Sequence, residues 1–286
     1  MPFSAQTTAD GSLTFFSEAF GELFHSHTGA RQEAEMKFVA ACQLAKKAPG
    51  GNRLQLLDIC YGLGYNTAAA LACIWRANPQ CQVKLIALEL EASVPAQAIA
   101  ENLLNPWPQP IPQLLQQLSL SHHLETEGFS GQFYLGDARQ HIQKISQRDF
   151  KADAIFLDPF SPPKCPQLWT VDFLSQVSQC LKPSGILATY SCAASVRAAL
   201  GLAGLKVGSS VSVGRRSPGT VAGFVDQGFI PLTLKEQEHL QTRAAIPYRD
   251  PLLQDSAAKI IQRRKTEQAA CQLESSSQWK KRWQKF

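Results

Sequence analysis

The chain has 286 residues, a net charge of +5 and 44% hydrophobic residues, values typical of one large globular domain with appendages. The absence of any run of about eighteen apolar residues excludes a predicted membrane-spanning helix. The first residues lack the basic and then apolar pattern of a secretory signal, so we expect a cytoplasmic location. The eight cysteines form no Cys-x-x-Cys pair and no Cys/His cluster, and we therefore expect no metal site.

The chain divides into three segments of different pattern. Residues 1–50 are expected to form an N-terminal extension that packs on the core and contains a helix. Residues 51–232 alternate apolar strands with helices and end in a hairpin, which indicates a mostly parallel sheet with a terminal antiparallel pair. Residues 233–286 are expected to be helical, polar and basic.

The first strong signal is a buried strand that continues into a glycine turn and a helix, at Leu56–Asn66. Glycines in such a turn let the backbone approach a ligand, and the helix that follows presents its N-terminus to that ligand. The methyltransferase pattern acid-x-Gly-x-Gly-x-Gly is matched except at its first glycine, which is a cysteine: Asp58-x-Cys60-x-Gly62-x-Gly64. A dinucleotide-binding turn would have glycine where Thr67 stands.

Two further strands are followed by acids. Glu89 closes the apolar run 83–88, and its carboxylate can accept hydrogen bonds from both hydroxyls of a ribose because it has two acceptor oxygens. Asp137 can receive an adenine amino group, cap the helix that begins near Ala138, or do both. Open α/β sheets bind ligands at the carboxyl ends of their strands. We therefore predict that S-adenosylmethionine is the cofactor and that its site is formed by these residues: Asp58, Gly62, Gly64, Asn66, Glu89, Asp137 and Ala138.

A third apolar run ends in Asp158-Pro159-Phe160, the sharpest chemical signal in the chain. A carboxylate that accepts N–H hydrogen bonds orients the lone pair of an amine and stabilises the positive charge that develops on nitrogen. The proline fixes the turn, and the aromatic ring can pack on a planar substrate. We predict Asp158 as the catalytic group of an N-methyltransferase and Phe160 as a substrate contact; a purely structural turn is the alternative.

The segment Phe156–Trp169 resembles the Phe-Leu-Asp-Gly-Phe-Ala-Pro-x-Lys-x-Pro-x-x-Trp signature of the MnmC-type tRNA methyltransferases. Residues 20–26, 189–200 and 214–216 are similar to further segments of that family. Pro159 stands where the family usually has glycine. The resemblance implies a Rossmann-like class I α/β fold, with a mostly parallel seven-stranded sheet and a terminal antiparallel hairpin.

The resemblance also implies an activity, namely S-adenosylmethionine-dependent N-methylation of the 5-aminomethyl group of (2-thio)uridine at the tRNA wobble position. The implied partner is tRNA, and phosphate contacts are expected from Lys164, Arg215 and Arg216. The basic tail from residue 259 onward is a further candidate, unless Trp279 and Trp283 cap the core instead. No second dinucleotide motif follows, so no flavin-dependent oxidase domain is expected in this chain.

Two other interpretations stay open from the sequence. An amino-methyltransferase that acts on another nucleic acid or on a protein also suits an Asp-Pro-aromatic turn. A non-catalytic RNA-binding module can share the same fold, because fold alone does not decide function. The presence of Glu89, Asp137 and Asp158 together disfavours the non-catalytic module.

Overall fold

The computed structural model of the protein describes residues 3–212 and 218–283. Its first element is a small antiparallel sheet of β1 (Phe3–Thr7), β2 (Leu13–Ser17) and β3 (Glu22–Leu23). The helical elements that follow, through residue 50, are α1 (Ala30–Glu33), a π-helix (Ala34–Ala40), α2 (Leu44–Lys47) and a 3-10 helix (Ala48–Gly50). The helical part was predicted from sequence, whereas the three strands before it were not.

Within the described residues, the central sheet has eight strands: β4 (Arg53–Ile59), β5 (Gln82–Glu89), β6 (His123–Glu125), β7 (Phe129–Leu135), β8 (Ala152–Leu157), β9 (Leu181–Thr189), β10 (Lys206–Ser209) and β11 (Thr220–Gly223). Their order is β10-β11-β9-β8-β4-β5-β7-β6. The five strands from β9 to β7 in this order are parallel, and β10 and β11 form the predicted antiparallel hairpin. The prediction of seven strands was one too few, because β6 is only three residues long and is too short for its sequence to mark a strand.

Helices cover both faces of the central sheet, and alternation along the strands separates two cores. Leu56 belongs to the core under the N-terminal segment, and Leu57 belongs to the core on the other face. The helices that connect the strands are α3 (Tyr65–Ala77), α4 (Ser93–Ala100), α5 (Ile111–Ser121), α6 (Ala138–Ser146), α7 (Val171–Gln179) and α8 (Ala194–Leu202), with a 3-10 helix (Pro166–Trp169) before α7.

The path of the chain reverses at β4. From β4 it proceeds outward through β5 to β7, and it then returns to place β8 and β9 on the other side of β4. A crevice forms at the carboxyl ends of strands where the order reverses in this way. The turns after β4, β5 and β8 therefore meet at one edge of the sheet.

The C-terminal segment packs back on the core. It contains α9 (Leu234–His239), a 3-10 helix (Arg243–Ala245), α10 (Ala257–Ala270) and α11 (Ser276–Trp283). Trp279 is buried, and its ring stacks on His239 with centroids 4.3 Å apart. None of the helices in the described part of the chain is long and apolar enough to cross a membrane. The division into segments at residues 50 and 232 stays a prediction.

Candidate active site

A cavity of about 970 Å³ lies at the carboxyl edge of the central sheet. Gly62, Glu89, Asp158 and Phe160, which close or follow β4, β5 and β8, form part of its wall. Much of the remaining wall comes from residues 16–28 of the N-terminal segment. Its volume is within the range of small-molecule sites, roughly 300–1,000 Å³.

The glycine turn after β4 contains three residues with positive φ: Cys60 at 66°, Gly62 at 57° and Gly64 at 83°. This is the left-handed region, in which residues other than glycine are uncommon. A Cβ at Gly64 would lie 2.6 Å from the Tyr61 hydroxyl, so this position requires glycine. Cys60, which stands at the first glycine of the pattern, adopts this left-handed conformation although it has a side chain.

Glu89 closes β5 and ties the glycine turn to the neighbouring strand end. Its Oε2 accepts a hydrogen bond from the Gly62 N–H at 2.8 Å, and its Oε1 accepts from the N–H groups of Leu90 at 2.8 Å and Glu91 at 3.2 Å. The side chain lines the cavity, although only 9% of the residue is exposed. Burial raises the pKa of Glu89 above its usual value, against the effect of the three N–H donors.

Asp158 follows β8 and lines the same cavity. Its Oδ2 accepts a hydrogen bond of 2.9 Å from Asn66 Nδ2, in the first turn of α3, and its backbone N–H donates to the Ile59 carbonyl. Asn66 is 3% exposed, and its Oδ1 has no hydrogen-bond partner among the described residues. Two of the predicted site residues, 92 positions apart in sequence, are therefore in direct contact.

Two aromatic side chains fix the turn that continues from Asp158. The Tyr190 hydroxyl donates to the Pro159 carbonyl, and the Trp169 indole donates to the Phe160 carbonyl, both at 2.9 Å. Trp169 is fully buried, so its contact anchors the turn to the core. The Phe160 ring forms part of the cavity wall next to Asp158.

The hairpin between β2 and β3 covers this turn, a feature that sequence reasoning missed. The ring of Phe20 stacks on Phe160 with centroids 4.3 Å apart and planes at 18°, and Phe24 meets Phe160 edge-on at 5.1 Å. The Glu22 carboxylate accepts hydrogen bonds from both the backbone N–H and the hydroxyl of Ser161. The only sequence signal was the family resemblance of residues 20–26, to which no role was assigned.

A buried ion pair supports the same segment. Glu33 lines the cavity and accepts hydrogen bonds from Lys37 Nζ at 3.1 Å and from the Ser26 N–H at 3.0 Å. Lys37 is fully buried within the π-helix. π-Helical turns occur frequently at functional sites. The pair thus joins the π-helix to the cavity segment 16–28, and neither residue was predicted to belong to the site.

Asp58 does not line the cavity, and its predicted contact with the cofactor stays a prediction. It is fully buried below the glycine turn, where its Oδ2 accepts a hydrogen bond of 2.6 Å from the Thr67 hydroxyl. Burial raises the pKa of Asp58 to about 7; the charge of Glu89 adds to the shift and the Thr67 hydrogen bond opposes it. The structure therefore shows Asp58 as a support of the turn and of the start of α3.

Asp137 and Ala138 are also absent from the cavity wall. The Asp137 carboxylate caps α6 by accepting from the Arg139 N–H, and it forms an ion pair of 2.7 Å with the Arg139 guanidinium. Arg139 in turn contacts the fully buried Asp250. The helix-capping role considered for Asp137 is confirmed, and the adenine contact stays a prediction.

The predicted phosphate contacts are only partly covered by the structure. Lys164 is exposed, and its Nζ lies beside Gly21 of the covering hairpin. Arg215 and Arg216 lie outside the described residues. In the basic tail, Lys259 and Arg263 pair with Asp255, and Arg282 pairs with acidic side chains. Within residues 259–283, the lysines exposed without such partners are Lys265, Lys280 and Lys281. In the same part of the chain and in residues 3–212, no cluster of His, Cys, Asp and Glu could hold a metal ion.

Comparison with known proteins adds to this geometry. A family described as S-adenosyl-L-methionine-dependent methyltransferase matches residues 94–224. The crystal structure of MnmC2 from Aquifex aeolicus is 35% identical, covers 94% of this chain and is matched over 86% of its own, with a TM-score of 0.82. The chain belongs to the MnmC2 family of methyltransferases. The predicted class I fold and the dependence on S-adenosylmethionine are therefore confirmed.

Two curated relatives extend the likeness. An uncharacterized protein of Methanocaldococcus jannaschii is 29% identical over 90% of this chain and 70% of its own length. The tRNA 5-methylaminomethyl-2-thiouridine biosynthesis bifunctional protein MnmC of Azoarcus sp. is 30% identical over 80% of this chain. The chain spans 37% of that bifunctional protein.

Proposed function

We propose that this protein methylates the 5-aminomethyl group of (2-thio)uridine at the tRNA wobble position, giving 5-methylaminomethyl-(2-thio)uridine. The observation that carries the proposal is the placement of Asp158. In a chain of the MnmC2 family, this carboxylate lies on the cavity wall, is oriented by Asn66 and precedes the anchored turn Pro159–Phe160. The name of the bifunctional relatives contains the same modified nucleoside.

The residues of the cavity fit S-adenosylmethionine. Gly62 lies on the cavity wall and its turn leads directly into α3, whereas Gly64 and Asn66 lie behind that wall. Glu89 presents a carboxylate at the end of β5, which suits the hydroxyls of a ribose. The buried Oδ1 of Asn66 offers one more acceptor beside Asp158. We propose that Gly62, Glu89 and Asn66 hold the cofactor, while Asp58 and Gly64 maintain the shape of the turn.

When bound, the cofactor supplies an electrophilic methyl group on a sulfonium. Asp158 accepts N–H hydrogen bonds from the neutral substrate amine and so directs its lone pair toward that methyl. The carboxylate also stabilises the positive charge that the nitrogen gains, which is the interaction that strengthens toward the transition state. Asn66 holds the carboxylate in place through its Nδ2, and the proton that leaves the product amine passes to solvent.

The proposed partner, tRNA, requires a positively charged surface near the cavity. The exposure of Lys164 beside the covering hairpin supports the proposal that it contacts a phosphate. Arg215 and Arg216 are proposed to contact phosphates as well, and Lys280 and Lys281 are the tail candidates. A tRNA substrate also accords with the predicted cytoplasmic location. Replacing any one phosphate-binding side chain by alanine is expected to lower the log–log salt slope of tRNA binding by roughly 0.7 to 0.9.

The proposal is tested by incubating the purified protein with S-adenosylmethionine and tRNA that carries 5-aminomethyl-(2-thio)uridine. Mass analysis of the digested nucleosides should show conversion of this nucleoside to its methylaminomethyl form. Unmodified tRNA and a protein fraction serve as controls. Absence of conversion, or methylation of the protein fraction or of another nucleoside, would contradict the proposed substrate and favour another amino-methyltransferase.

A further inference from the structure

We propose that Phe20 and Phe160 are the two faces of an aromatic clamp that holds the flat base of the methyl-accepting nucleotide. The inference rests on the proposed function and specifies how the same site recognises its substrate. Both rings line the cavity, and Phe160 is two residues from Asp158. A base held against Phe160 would therefore present a substituent close to the carboxylate.

The observed stack leaves no room for a base between the rings. Their centroids are 4.3 Å apart and their planes differ by 18°, which is the geometry of one direct stack. Optimal contact between flat carbon surfaces needs about 3.5–4.0 Å on each side, so a sandwiched base requires the rings to separate to roughly 7–8 Å. The ring of Phe20 thus occupies the position that the base would take on the face of Phe160.

The local structure favours movement of Phe20 over movement of Phe160. Phe160 is fixed through its carbonyl by the buried Trp169. Phe20 lies in the four-residue turn 18–21 between β2 and β3, in which residues 18, 19 and 21 are exposed. Glu22, at the end of this turn, is hydrogen-bonded to Ser161. Separation of the two rings therefore requires only residues 18–21 to move.

The flat faces of the two rings suit the flat face of a nucleobase. Proteins that recognise single-stranded RNA commonly stack its unpaired bases on aromatic side chains. A wobble base is unpaired in free tRNA and needs no disruption of a helix to enter. Phe24 meets Phe160 edge-on at 5.1 Å and closes the side of the stack, which limits the space to one planar ring system.

The test compares Phe20→Leu, which keeps apolar bulk without a ring face, with Phe20→Trp, which keeps the face. Phe20→Leu should raise KM for aminomethylated tRNA by about 5- to 150-fold, the range expected for the removal of one base stack. Phe20→Trp should retain nearly the parent KM. Affinity for S-adenosylhomocysteine, measured by calorimetry, should be the same in both. Phe224→Leu, an exposed phenylalanine after β11, is the matched control.

A second readout does not depend on activity. In the Phe20→Trp protein bound to S-adenosylhomocysteine, the added indole should change its fluorescence when aminomethylated tRNA is added, relative to the parent protein under the same titration. An unchanged KM for Phe20→Leu, or equal losses in the Leu and Trp variants, would overturn the clamp. These outcomes differ from failure of the proposed function, in which the parent protein itself transfers no methyl group to tRNA.

Discussion

Two pairs of acids at the same edge of the sheet have different surroundings. Glu89 and Asp158 line the cavity, whereas Asp58 and Asp137 serve the helices that start beside them. All four lie at or near the carboxyl ends of parallel strands, and sequence analysis assigned all four to the active site. The comparison teaches that a position near a strand end does not by itself place a carboxylate on the cavity wall, because the first turn of the next helix can bind it.

Side-chain direction explains the division for Asp58. Within β4 it alternates with Leu57 and Ile59, which point into one core, and so it faces the other side with Leu56. The start of α3 lies on that side, and Thr67 donates to the carboxylate there. Asp158, in contrast, stands after the last residue of β8, where the chain has left the sheet and faces the cavity.

The largest expected effect is at Asp158, one of the two acids that line the cavity. Asp158→Ala should lower kcat by roughly 100- to 1,000-fold, because it removes an interaction that strengthens in the transition state. Affinity for S-adenosylhomocysteine should change little. Single-turnover methyl transfer at saturating tRNA measures the effect, and Asp149→Ala, an exposed aspartate after α6, is the control. A variant that keeps most of its turnover would remove Asp158 from the reacting centre.

The next effect is expected at Asp58 and concerns the pH dependence of stability. Its pKa is raised from 3.8 to about 7 in the folded protein, so the folded state binds one more proton between these values. The stability that this proton confers is complete below about pH 4 and is lost as the pH rises through 7. Asp58→Asn should remove a slope of about 1.4 kcal/mol per pH unit in the free energy of unfolding between pH 5 and 7.

Urea denaturation of parent and Asp58→Asn proteins at several pH values measures this slope. Glu89 also has a raised pKa and contributes a slope of the same sign, so the difference between the two proteins is the relevant quantity. Asp149→Asn should follow the parent curve. Parallel curves for the parent and Asp58→Asn would show that Asp58 is ionised in the folded state.

The sequence predicted those parts of the site whose signal is local. The glycine turn, Glu89 and the turn at Asp158 each follow an apolar run that marks its own strand. The covering hairpin could not be predicted in this way, because Glu22 and Ser161 are 139 residues apart and nothing near either residue specifies their hydrogen bonds. The local pattern also could not decide whether Asp137 caps a helix or contacts the ligand, because both roles require an acid before a helix.

A smaller effect is expected at Glu89. Glu89→Gln should weaken binding of S-adenosylhomocysteine by about 10- to 100-fold, because hydrogen bonds to a charged acceptor contribute about 1.5–3 kcal/mol each. The amide would also place a donor opposite one of the backbone N–H groups that the carboxylate now accepts. Calorimetric titration measures the affinity, with the exposed Glu101→Gln as control. Equal affinity in parent and variant would assign Glu89 to the turn alone.

The smallest effect is expected at Asp137. It tests whether an acid that caps a helix can also contact the ligand. Asp137→Ala removes the cap of α6 and should lower the free energy of unfolding by about 1 kcal/mol. Asp137→Asn keeps the cap, because asparagine is as good an N-cap as aspartate, but it loses the ion pair with Arg139. If Asp137 only supports the scaffold, Asp137→Asn binds S-adenosylhomocysteine as tightly as the parent does. A loss of affinity in the Asn variant, with stability retained, would place Asp137 with Glu89 at the ligand and show that one carboxylate can serve both the helix and the cavity.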